Sequence, residues 1–170
     1  MGRRGERGIT IIEMLIVVSI IALMAGISYP AVTAGIESVR MRSAADQTAA
    51  FLNQALTASE RRQQAIEIQV KRNTGALLFR TVDETLVRRV ELPQGIVIAE
   101  VLPPVPMNSE ERSVLVYPGA AFPRVTFVLA TKKGARRFVR IDPVVGMPVV
   151  EAPRQFAEDV QKDAAVKSIN

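Results

Sequence analysis

The sequence predicts an α+β chain in which one long N-terminal helix, apolar enough in its first half for lipid, packs on a C-terminal antiparallel β-sheet domain. Three observations carry this reading. From Ile9 to Tyr29 the only charge is Glu13. Beyond Pro30 a hydrophobic period near 3.6 persists to about Gln64. From Ala65 the period drops to 2, and the apolar runs are separated by turn residues that suit hairpins. The resulting segments are a leader over 1–8, a membrane helix over 9–29, an amphipathic continuation over 30–64, a β-rich domain over 65–153 and a polar tail over 154–170.

Ile9–Tyr29 forms, at about 1.5 Å rise per residue, a helix roughly 31 Å long, enough to cross a bilayer. Glu13 is costly in that setting: an acid at mid-membrane costs on the order of 2.5–3.5 kcal/mol on insertion scales, and less near the end where Glu13 lies. Such a cost asks for a counter-charge. A cut between Gly8 and Ile9 would supply one, because the new α-amino group is positive at neutral pH and lies about one helical turn from the carboxylate. The pair would form within one helix or between helices staggered by a turn, and in the second case it sets the stagger.

A basic leader ending at Gly8, a cut before Ile9, Glu13 as the fifth residue of the product and Pro30 as its twenty-second resemble the type IV pilins and pseudopilins. Ile9 stands where that family most often has phenylalanine. The resemblance covers about the first fifth of the chain. It implies a prepilin peptidase that cuts after Gly8 and methylates Ile9, and assembly through the apolar helix into a filament of sister subunits on an inner-membrane platform. It also implies a single span with the C-terminal domain periplasmic, and a type IV pilin-like fold in which the second half of the helix lies along a β-sheet. The basic residues Arg3, Arg4 and Arg7 favour the same orientation. An ordinary signal peptide, cut near Ala31-Val32-Thr33-Ala34, fits poorly because the apolar run is long and Glu13 interrupts it. A plain signal anchor gives no reason for the Gly8/Glu13 spacing.

Composition narrows the chemistry. The chain has no cysteine and no histidine, which removes disulfides, thiol catalysis, thiolate metal sites, the usual general base and the commonest zinc ligand. Neither a cofactor nor a metal site is expected. Asp83-Glu84 and Glu110-Glu111 pair carboxylates in sequence only, without a nucleophile beside them, so no catalytic residue is assigned. The net charge of +5 falls when the leader leaves, and the remaining excess is too mild to argue for nucleic acid by itself.

In the continuation, Val32, Ile36, Val39, Ala49, Leu52, Leu56 and Ser59 recur at helical steps and are expected to face the domain, while Pro30 bends or locally melts the helix at the membrane exit. Strands follow at 66–70, 76–82, 86–92 and 96–101, the first two joined by a turn at Arg72–Gly75. Residues 102–112, with three prolines, read as an exposed loop. A short strand is expected at 114–117, and two more at 124–131 and 136–142 around the turn Lys132–Ala135. In that pair Val125, Phe127 and Leu129 are expected on one face and Val139 and Ile141 on another. Val149 and Val150 follow a further turn. After Pro153 the chain reads as a frayed helix or a disordered tail.

Gly134, Arg137, Val139, Ile141 and Gly146 are similar to the C-terminal pattern of the H-type minor pseudopilins of type II secretion and related minor type IV pilins. That resemblance implies a low-copy structural subunit. The alternative is a DNA-binding minor pilin used in DNA uptake: Lys132, Lys133, Arg136, Arg137 and Arg140 surround one hairpin and would neutralise several phosphates. Phe138 is the one aromatic residue among them, which weighs against stacking of single strands. A solvated edge that blocks aggregation is the plainer reading of the same charges.

Overall fold

The computed structural model describes residues 10–104, 111–120, 123–142 and 145–157. The expected processing residues Gly8 and Ile9, residues 105–110 of the proline-rich loop and residues 158–170 of the tail lie outside these. The chain divides into two compact units, Met1–Ser38 and Val39–Asn170, and the helix α1, Ile11–Arg62, contributes to both. The helix is unbroken through Pro30, so the local melting expected there is not found. Losing one backbone donor interrupts the ladder at a single turn, and the helical turns on either side continue it cooperatively.

Arg62 ends the helix for a local reason. Gln63 adopts φ 52°, and the Gln64 N–H donates to the Ser59 carbonyl at 3.3 Å, the six-to-one bond of a Schellman turn. Arg61 and Arg62 in the last turn favourably meet the negative end of the helix dipole.

In the second unit the helix buries Met41, Ala44, Ala45, Thr48, Phe51, Leu52, Ala55, Leu56 and Ser59. The expected stripe is therefore partly wrong: Val32, Ile36 and Val39 are exposed. At about 100° per residue Val39 lies roughly 160° around the helix from Met41 and roughly 140° from Leu52, so it faces away from the buried stripe. The buried hydroxyls are satisfied locally. Thr48 donates to the Ala44 carbonyl at 2.8 Å, and Ser59 donates to the Gln64 carbonyl at 2.9 Å.

Eight strands follow: β1 Ile66–Lys71, β2 Ala76–Thr81, β3 Val87–Glu91, β4 Ile96–Leu102, β5 Glu111–Val116, β6 Thr126–Thr131, β7 Arg136–Ile141 and β8 Pro148–Glu151. They form two antiparallel four-stranded sheets, ordered β3-β2-β1-β5 and β4-β6-β7-β8. After β3 the chain crosses to the second sheet, and it returns only for β5. That strand starts three residues before the expected one, because Glu111, Arg112 and Ser113 pair with Lys71, Val70 and Gln69 of β1. The alternation Ile66, Ile68, Val70 turns one face of the first sheet to the core, and Phe79 of β2 meets Phe51 of the helix at 5.1 Å between ring centres.

In the second sheet Phe127 is directly opposite Val139. Directly paired residues share a face, so Val125, Phe127, Leu129, Val139 and Ile141 all join one core with the helix and the first sheet, and the expected separation into two faces does not hold. The sheets are stitched at the β1–β2 turn: the Asn73 N–H donates to the Ile98 carbonyl, and the Ile98 N–H to the Thr74 carbonyl, each at 2.8 Å. Gly75 in that turn is packed closely, since a Cβ there would lie 3.1 Å from the Ile96 carbonyl oxygen and the backbone of β4 would have to give by a few tenths of an ångström. Gly134, at φ 88°, closes the β6–β7 hairpin where the sequence placed a turn.

After β8, Pro153–Ala157 makes a helical turn started by the Gln155 side chain, which accepts the Ala152 N–H at 3.0 Å. The turn lays Phe156 flat on Phe138 of β7, with ring centres 4.2 Å apart and planes 4° apart. This stack lies on the outer face of the second sheet, where Val128 is buried opposite Phe138.

Candidate functional site

The first unit presents an apolar helix that no described residue of its own chain covers. Ile11, Leu15, Leu23, Ile20, Val17 and Met14 are all exposed, and they lie around the whole circumference rather than along one stripe. The helix is long and apolar enough to cross a membrane, and no residue of its apolar window is buried. Ser19 is the kind of polar group that lipid would penalise, and it is answered within the helix: its hydroxyl donates to the Leu15 carbonyl at 2.7 Å. Tyr29, also exposed, stands at the far end of the run, where an amphipathic ring suits the membrane surface.

Glu13 sits in the first turn of this helix, and its own backbone N–H donates to Thr10 Oγ1 at 3.3 Å. Thr10 is thus the N-cap, and Thr10-x-x-Glu13 is a capping-box spacing that sequence reasoning had not used. The acid therefore lies at the positive end of the helix dipole as well as near the terminus that cleavage would create. Gly26 has open space where a Cβ would be, so no contact among the described residues requires glycine in mid-helix.

The basic hairpin is dispersed. Lys132, Lys133 and Arg136 are exposed at the turn and the start of β7, and Arg137 is half-buried on the face of the core residues Val139 and Ile141. Arg140 points to the opposite face and is ion-paired through Nε to Oε1 of Glu151, a buried carboxylate on the neighbouring strand β8. The pattern residues Gly134 and Gly146 occupy turns with φ 88° and 72°. Sequence alone gave no pointer to the Arg140–Glu151 pair, because the two residues are joined only through the β7–β8 register.

The paired acids are likewise separated by their partners. Asp83 accepts from the Thr85 hydroxyl at 2.8 Å and from Gln64 Nε2 at 3.1 Å, while Glu84 pairs with Arg80 at 2.9 Å. Hydrogen bonds from the Thr81 and Thr85 side chains and the Thr85 backbone hold the Asp83 carboxyl well below the usual carboxylate range. Glu110 lies outside the described residues.

Residues 3–29 match the prokaryotic N-terminal methylation motif. The match indicates a pilin-like N-terminus of the kind that a prepilin peptidase processes and that assembles with other pilins. The layout of a long N-terminal helix on antiparallel sheets fits a type IV pilin-like fold. No curated protein and no solved structure matches the chain.

Proposed function

We propose that this chain is a minor pilin or pseudopilin: a structural subunit of a type II secretion pseudopilus or a related filament, cleaved after Gly8, methylated at Ile9 and inserted once in the inner membrane with its sheet domain periplasmic. The observation that carries the proposal is the coincidence of the methylation motif over 3–29 with an apolar helix that no described residue covers, capped by Thr10 and with Glu13 in its first turn. The role is mechanical rather than catalytic. An acid near the start of a lipid-facing helix finds its counter-charge on the processed amine of the same or a neighbouring subunit, and that pairing sets the axial stagger between subunits. Partners are then sister subunits, the peptidase, the assembly platform and membrane lipid.

Mass and N-terminal sequence of the membrane-extracted protein test this. A chain beginning at methylated Ile9 is expected, and one beginning at Ala31 or later overturns the proposal. Assembly of Glu13→Gln as efficiently as the unaltered chain would remove the charge-pairing step.

A DNA-binding minor pilin is the second reading, favoured by the exposure of Lys132, Lys133 and Arg136 around one hairpin. It predicts duplex affinity that falls steeply with salt. A flat salt response removes it.

A further inference from the structure

The four-stranded sheet that carries β1 ends at β3, and this edge is open. Thr81 N–H donates to the Leu86 carbonyl and Leu92 N–H to the Gly75 carbonyl in the β2–β3 register. Hydrogen bonding to β2 therefore uses the even-numbered residues of β3, and the N–H and C=O groups of Val87, Arg89 and Glu91 point outward. Among the described residues nothing hydrogen-bonds to them. The strand holds no proline and its register with β2 runs without a bulge. The edge strands of the other sheet are less open: β4 is stitched to the β1–β2 turn, and β8 begins with Pro148, which has no N–H to offer.

Charge on this edge is selective. Arg89 and Glu91, on the outer face, neutralise each other at 2.9 Å. Arg88 is opposite the buried Phe79 and so belongs to the core-side face, at the rim, where it is exposed. Among the described residues it has no ion-pair partner. Val90, next on that face, is partly buried against the core. A second copy of β3 fits less well: antiparallel pairing about Arg89 sets two guanidinium groups opposite each other, and pairing about Val90, which sets Arg89 opposite Glu91, leaves Arg88 opposite Leu92 with no carboxylate.

We propose that the outer edge of β3 accepts an extended segment of a partner protein as a fifth strand, with a carboxylate opposite Arg88 and an apolar side chain opposite Val90. Backbone bonds to Val87, Arg89 and Glu91 supply affinity, and Arg88 supplies the choice of partner. This rests on the sheet alone and stands whether or not the chain assembles into a filament.

The test uses the full chain in detergent micelles and a fluorescent heptapeptide, Thr-Glu-Thr-Val-Thr-Glu-Thr, whose symmetry allows either strand direction. Saturable binding is expected, with a lysine-for-glutamate peptide about tenfold weaker because it sets like charges across the strands. Arg88→Glu should reverse that order. Arg89→Pro removes an outward N–H at a position where an edge strand tolerates proline, and it should abolish binding while leaving the thermal midpoint within a few degrees. Failure of the glutamate peptide to bind, equal affinity for the two, or unchanged binding by Arg88→Glu would each overturn the proposal.

Discussion

Replacing Arg140 with methionine should destabilise the sheet domain by about 3 kcal/mol, even though the residue reads from sequence as part of a surface cluster. The Glu151 side chain is 6% exposed and that of Arg140 is 23% exposed. One Glu151 oxygen, Oε2, already has no hydrogen-bond partner. Removing the guanidinium leaves a buried carboxylate with its charge uncompensated, a loss of about 3–5 kcal/mol for a buried pair. Water reaches part of Arg140, which places the expected value at the low end. Against a total stability on the order of 10 kcal/mol this is a large fraction, and for a domain of this size it lowers Tm by about 6–12 °C. Urea or thermal unfolding of the full chain in micelles measures it. The double variant Arg140→Met/Glu151→Leu should recover most of the loss, since both charges are then gone and an apolar pair fills the space beside Val128 and Phe138. A single-variant cost under about 1 kcal/mol, or a double variant no better than the single, would refute the reasoning. The same result bears on nucleic-acid binding, because weaker DNA affinity in an Arg140 variant would then report lost structure.

Phe51→Ala should cost about 3–5 kcal/mol by cavity formation and loss of the Phe79 ring contact, read from thermal unfolding. Asp83 titrates with a depressed folded-state pKa, so its stabilising contribution is complete above the usual carboxylate range near pH 4 and is lost as pH falls through and below it. Asp83→Asn should therefore flatten the acid limb of a stability–pH profile by lowering stability at pH 7 while changing it little at the acid end, where the carboxylate is already protonated. Gly26→Ala should hold or raise helicity in micelles, by about 1 kcal/mol of helix propensity, because the added methyl meets nothing among the described residues. If neighbouring subunits use that gap, crosslinked assembly in membranes should fall at the same time.

Where the physics is local, sequence sufficed. An uninterrupted apolar run and one acid define the N-terminal helix whatever follows them. The turns at Arg72–Gly75 and Lys132–Ala135 declare themselves through Asn73 and Gly134, whose φ values of 58° and 88° suit those residue types. The β1 alternation survives intact as Ile66, Ile68 and Val70 in the core. What tertiary structure decided is which strand lies beside which. Nothing in Glu111–Ser113 favours a strand until β1 is there to pair with it, and only the helix's rotation on the sheets selects Met41 over Val39 for burial. Arg140 joins a buried carboxylate rather than its neighbours in sequence because β7–β8 pairing brings Glu151 alongside it. Free energies of burial and charge depend on what the rest of the chain brings near a residue, and that is a property of the fold, not of the residue's place in the sequence.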